Sequence, residues 1–126
     1  MNLNTGIITL VAGGYTDGSS DGTPGGLTPP AGSIGPGVLT RLQTPSAVAA
    51  DAAGNVFIAD SLNNRVVRVD KDGNAFVIAG GGTTWGDNKA ATSVALLMPR
   101  GVAVDSGGNV YTTEALGIIR KLTPSK

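Results

Sequence analysis

The chain has 126 residues, 40% of them hydrophobic, with a mean hydropathy of +0.13, which suffices for one packed domain and argues against disorder. Its 20 Gly and 7 Pro against 14% charged residues favour short strands and tight turns over long helices. Scattered basic and acidic residues cancel to zero net charge, which leaves no electrostatic footprint for nucleic acid or an anionic membrane.

The absence of cysteine removes disulfides, thiolate zinc sites and a cysteine nucleophile, and leaves the redox compartment undecided. The absence of histidine removes the Ser-His-Asp triad and imidazole metal sites, so catalysis would fall to carboxylates or lysine. No cofactor motif is present. Met1 to Gly6 lack a basic region leading into an apolar stretch, and no apolar run approaches the roughly 18 residues of a membrane span. Neither targeting nor membrane crossing is expected. Low charge with abundant Gly, Thr, Ser and Ala suits a parent protein outside the cell or at its surface.

In chain order, residues 1–14 carry the apolar run Ile7 to Val11, expected as a strand. Residues 15–44 form a Gly/Pro-rich loop. Residues 45–98 hold apolar runs at Ala47 to Ala50, Val56 to Ala59, Val66 to Val69 and Ala75 to Ile78, each too short for a helix. Residues 99–126 hold three more, at Val102 to Val104, Val110 to Thr113 and Ile118 to Leu122. A repeat underlies this order.

Pro45 to Asp60 aligns without a gap with Pro99 to Glu114, an offset of 54 residues. Arg65 to Val69 matches Ile118 to Leu122, and Ala75 to Gly80 matches Ile8 to Gly13. Each unit therefore has four strands, lettered a to d, with Ile7 to Val11 a d strand. The turn Asp-x-x-Gly-Asn occurs at Asp51, Asp70 and Asp105. Asp accepts hydrogen bonds from turn amides, and Gly54, Gly73 and Gly108 supply the positive φ that an antiparallel hairpin with a bulged loop requires.

Four-stranded antiparallel units repeating at this spacing are the signature of propeller blades. Pro99 to Asp105 (PRGVAVD), Gly54 to Val66 (GNVFIADSLNNRV) and Gly86 to Ser93 (GDNKAATS) resemble the NHL-repeat family over nearly all of the chain outside Tyr15 to Arg41. The resemblance implies an all-β fold with about two blades in this chain: residues 1–14 give an outer strand, 15–44 an inter-blade loop, 45–98 a complete blade with its d-a loop, and 99–126 the first three strands of a further blade. It implies binding of proteins, glycans or RNA through loop faces. Lyases similar to this family use histidine and metal, and its RNA-binding members use a basic face; both are missing here.

Alternating strands put the b-c and d-a loops on one face, with Trp85, Asp87, Lys89 and Arg100. Trp85, Asp87 and Arg100 are the candidate ligand contacts, with burial between blades the competing role for Trp85. Asp60 and Arg65 flank the b-c turn and are read as a turn-stabilising pair, whose counterparts would be Glu114 and Ile118. The Gly13 to Pro45 connection spans 32 positions against 19 for Gly80 to Pro99. Within it, Asp17 and Asp21 lack the later bidentate Glu of a calcium loop, so no metal is expected. No catalytic carboxylate pair stands out.

The leading expectation is a noncatalytic propeller module binding a protein or carbohydrate through its loop face. A structural alternative is either a fragment of a larger propeller or a self-associating unit, three copies giving six blades. A propeller hydrolase or lyase ranks third.

Overall fold

The computed structural model describes residues 6–13 and 33–124. Its strands are β1 (Gly35–Pro36), β2 (Pro45–Ala50), β3 (Val56–Asp60), β4 (Arg65–Val69), β5 (Asn74–Gly80), β6 (Gly101–Val104), β7 (Val110–Thr113) and β8 (Ile119–Leu122). They form two antiparallel sheets, ordered β1-β5-β4-β3-β2 and β6-β7-β8. Strands β2 to β5 are the a to d strands of blade 1, and β6 to β8 are the a to c strands of blade 2. The fold is all-β, with about two blades.

The hairpins form where the turn chemistry places them. Asp51 Oδ1 accepts the backbone N–H of Ala53 and Asn55 at 3.0 and 2.9 Å, and Asp70 and Asp105 repeat the arrangement with Asp72 and Asn74, and with Gly107 and Asn109. Gly54, Gly73 and Gly108 have φ of +92°, +86° and +84°, a left-handed conformation that costs glycine least. These bonds hold the three carboxyl groups below the ordinary Asp value, led by the Asn side chain for Asp51 and Asp105 and by the Asn74 backbone for Asp70.

Because side chains alternate along a strand, the blade 1 sheet buries both faces. Ile58, Val67, Val69 and Ala75 form one cluster, joined by Ala12, Ile34 and Leu42. Val66, Ala79, Val94 and Leu96 form the other, joined by Val102 and Leu122 of blade 2. The blades are also tied at the entry to β6, where Ser46 Oγ of β2 donates to Arg100 O at 2.7 Å and Ser61 Oγ of the b-c turn donates to Pro99 O.

Two features depart from the sequence reading. Strand β1 lies inside the segment read as a loop and covers the outer edge of β5, with Ile34 N–H donating to Ala75 O and Gly37 N–H to Gly73 O, both at 2.8 Å. Proline at Pro36 fits such an edge position, which does not need its missing N–H. Ile7 to Val11 have no ladder pairing, and Ile7 and Ile8 are 91% and 97% exposed. A strand requires a neighbour, and β8 pairs with β7 alone among the described residues. Asp17 and Asp21 lie outside the described residues.

Candidate ligand-binding face

The b-c and d-a connections gather at one end of the sheets because successive strands run in opposite directions. Each blade braces this end with a buried carboxylate. In blade 1, Asp60, its side chain fully buried, accepts Gln43 N–H at 2.7 Å, Asn63 Nδ2 at 2.8 Å and Arg65 Nε at 2.8 Å. Arg65 also donates to Arg41 O at 3.0 Å. The carboxylate thus clamps the b-c turn to the chain arriving at β2.

In blade 2, Glu114 accepts Leu97 N–H at 2.8 Å, and Leu97 lies 54 residues beyond Gln43. Its cation is Arg120, whose Nε donates to Oε2. The position aligned with Arg65 is the uncharged Ile118, and Arg120 supplies the cation in its place. Arg120 lies within β8, two residues beyond Ile118, and the extra methylene of Glu over Asp extends the carboxylate toward it. Both clamps sit beside a strained residue: Thr44 and Met98, each preceding a proline, have φ of +53° and +46°.

The d-a loop is held by its own backbone. Ala95 N–H donates to Thr84 O at 2.8 Å, and Thr84 N–H and Oγ1 donate to Ser93 O at 3.1 and 2.6 Å. Arg120 donates from Nη1 to Asp87 Oδ1 at 3.1 Å and to Gly86 O at 3.3 Å, so one guanidinium joins this loop to the Glu114 clamp. Asp87 is nevertheless 84% exposed, as befits the outer end of the network. Trp85, two residues before Asp87, is 65% exposed and does not plug the gap between blades.

Between the blades runs a cleft of about 1180 Å³, bounded by Asp87 and Lys89 toward the d-a loop and by Asp51 and Gly108 toward the hairpin turns. Arg68 of β4 lines it, with its guanidinium 4.7 Å from the Phe76 ring. Its Nε is the one buried side-chain polar atom among the described residues without a hydrogen-bond partner. Nothing in the alternating Arg65 to Val69 run distinguishes Arg68 from a solvated strand residue, so its role is invisible in sequence.

No protein-family model matches the chain. Among solved structures it resembles a structural genomics protein of unknown function from Bacteroides thetaiotaomicron, with 23% identity over 65% of this chain and 22% of that one, at TM-score 0.57. It also resembles a protein of the same bacterium provisionally assigned as a phosphatase, with 18% identity over 91% of this chain and 26% of that one, at TM-score 0.62. These identities carry the fold alone. The first of these two is propeller-like. The chain has the fold of about two β-propeller blades. It spans about a quarter of the length of these structures.

In propeller terms, β2 and β6 are inner strands, and the face bearing the carboxylate clamps carries the irregular loops. Trp85 and Asp87 share the d-a loop, while Arg100 opens the chain into β6, its N–H donating to Thr113 O at 2.8 Å. The Arg100 residue is exposed. Asp60 and Arg65 pair directly, and Gly54, Gly73 and Gly108 lie at the opposite end of the sheets. Among the described residues, no group of three or more Asp or Glu side chains is arranged to hold a metal ion.

Proposed function

We propose that these are NHL-type blades of a noncatalytic binding module, whose loop face engages a protein or carbohydrate through Trp85, Asp87 and Arg100. The family assignment rests on the motifs at Pro99 to Asp105, Gly54 to Val66 and Gly86 to Ser93. The observation that carries the binding reading is Trp85, 65% exposed on a loop tied down by Thr84 and by the Arg120 bond to Asp87. A large aromatic presented by an ordered loop offers stacking area at little cost in conformational entropy. Asp87 contributes a solvated carboxylate that accepts hydroxyl or amide donors, and Arg100 contributes a cation.

A glycan array and a peptide library probed with the chain test this reading. Trp85→Ala and Arg100→Ala are each expected to weaken a captured ligand about ten-fold, or about 1.4 kcal/mol. Lys71→Ala and Ser106→Ala, on the opposite turns, leave it unchanged. Equal losses at all four positions contradict the assignment of this face.

A further inference from the structure

We propose that Ile7 to Ala12 of one copy of this chain pairs with β8 of a second copy and completes its second blade. The docking surface is the outer edge of blade 2, and its occupant is another molecule of the same protein. This assembly is independent of what the loop face binds.

Three observations converge. First, Ile8 to Gly13 repeats Ala75 to Gly80, the outer strand of blade 1, and Gly13 and Gly80 share a left-handed φ of +90° and +85°. Second, the segment already sits where the outer strand of a preceding blade belongs. Ala12 and Leu42 pack on one face of blade 1 as their counterparts Ala79 and Leu96, the latter 54 residues after Leu42, pack at the other. Between this segment and β2 lies an apolar hollow of about 530 Å³ lined by Leu10, Val11, Val48, Val56 and Ile58. It is the space that the inner strands of that preceding blade would fill.

Third, blade 2 presents the complementary piece. It has three strands, β8 pairs only with β7 among the described residues, and Ile119 stands 71% exposed. An open strand edge with apolar residues favours pairing with another strand. Blade 2 of one copy, docked against blade 1 of the next, fills the hollow while Ile7 to Ala12 closes the edge.

The β4–β5 register transfers directly, including its irregularity between Val66 and Val67. It pairs Leu122 with Ile8, Lys121 with Thr9, Arg120 with Leu10, Ile119 with Ala12 and Ile118 with Gly13, leaving Val11 as the bulge. Such a contact is head-to-tail and must close into a ring or run on as a filament. Propellers of about 4 to 8 blades correspond to about two to four copies, and three copies give six blades.

The chain has no cysteine, so Thr9→Cys with Lys121→Cys places one thiol on each side of a register pair. Mild oxidation should link the copies through disulfides on a non-reducing gel, whereas Thr9→Cys with Ser106→Cys should not. Light scattering of the unaltered chain should give two to four times 12.5 kDa. A mass of 12.5 kDa at every concentration overturns the proposal. So does a folded Thr9→Cys, Lys121→Cys double variant that fails to cross-link, links only within one chain, or links no better than the control.

Discussion

The two blades share a repeat and a turn chemistry but differ in how far each is closed. Blade 1 has all four strands, a fifth segment over its outer edge and apolar clusters on both faces, so β3 and β4 are largely buried. Among the described residues blade 2 has three strands, and β8 alternates between exposed and half-buried residues. The contact residues differ as well. Ser46 and Ser61 fasten blade 1 to the backbone at Pro99 and Arg100, whereas the equivalent positions of blade 2 hold Arg100 and Ala115. A repeat of sequence is thus compatible with unequal completion, because a blade's stability depends on what lies against its faces and edge.

The largest expected effect comes from the carboxylate clamps. Asp60→Ala removes a buried acceptor of three donors and should cost about 3 kcal/mol in urea unfolding. Glu114→Ala should cost about 2 kcal/mol, because Arg120 keeps its exposed bond to Asp87. A loss under about 1 kcal/mol at Asp60 would show that the clamp is dispensable even in the complete blade.

The turn glycines give a smaller effect, within blade 1. A Cβ on Gly54 would approach Lys71 Cβ at 3.2 Å, whereas one on Gly73 meets nothing within 4 Å. Gly54→Ala should therefore destabilise by about 2 kcal/mol and Gly73→Ala by about 1 kcal/mol, the latter from φ alone. Equal losses would show that crowding contributes nothing. Strain at the approach to β2 gives a change of opposite sign. Thr44→Asn places a residue more tolerant of positive φ there and should raise stability by about 0.5 kcal/mol, with Met98→Asn as its blade 2 counterpart.

The smallest effect is a pH dependence. Asp51, Asp70 and Asp105 have folded pKa values below the ordinary 3.8, so their contribution is present above that value and lost as pH falls through the lower, folded values. Asn109→Ala removes the leading cause at Asp105 and should move its carboxyl back toward 3.8. Asn74→Ala leaves the leading backbone bond to Asp70 in place and should shift it less. Carboxyl-carbon NMR titration reads both, and a larger shift at Asp70 would invert the assigned causes.

Much of this architecture was legible in the chain because short apolar runs and Asp-x-x-Gly-Asn turns are local signals. Val110 to Thr113 forms the expected strand, and the three turn glycines have the φ their turns demand. What was not legible depends on contacts between distant segments. Gly35–Pro36 has no strand-like pattern and pairs because β5 offers it an open edge. Arg120, not the aligned Ile118, pairs with Glu114 because the longer carboxylate reaches a cation two residues further along, which an alignment by position overlooks. The exposure of Trp85 follows from how the d-a loop is pinned, and its single indole could not disclose that beforehand.

Amide hydrogen exchange across a dilution series tests the contrast between the closed and the open blade most directly. The β4 amides are expected to stay slow at every concentration, while the outward amides of β8 exchange fast when dilute and slow as copies assemble. Protection of β8 equal to that of β4 in a dilute 12.5 kDa monomer would contradict it.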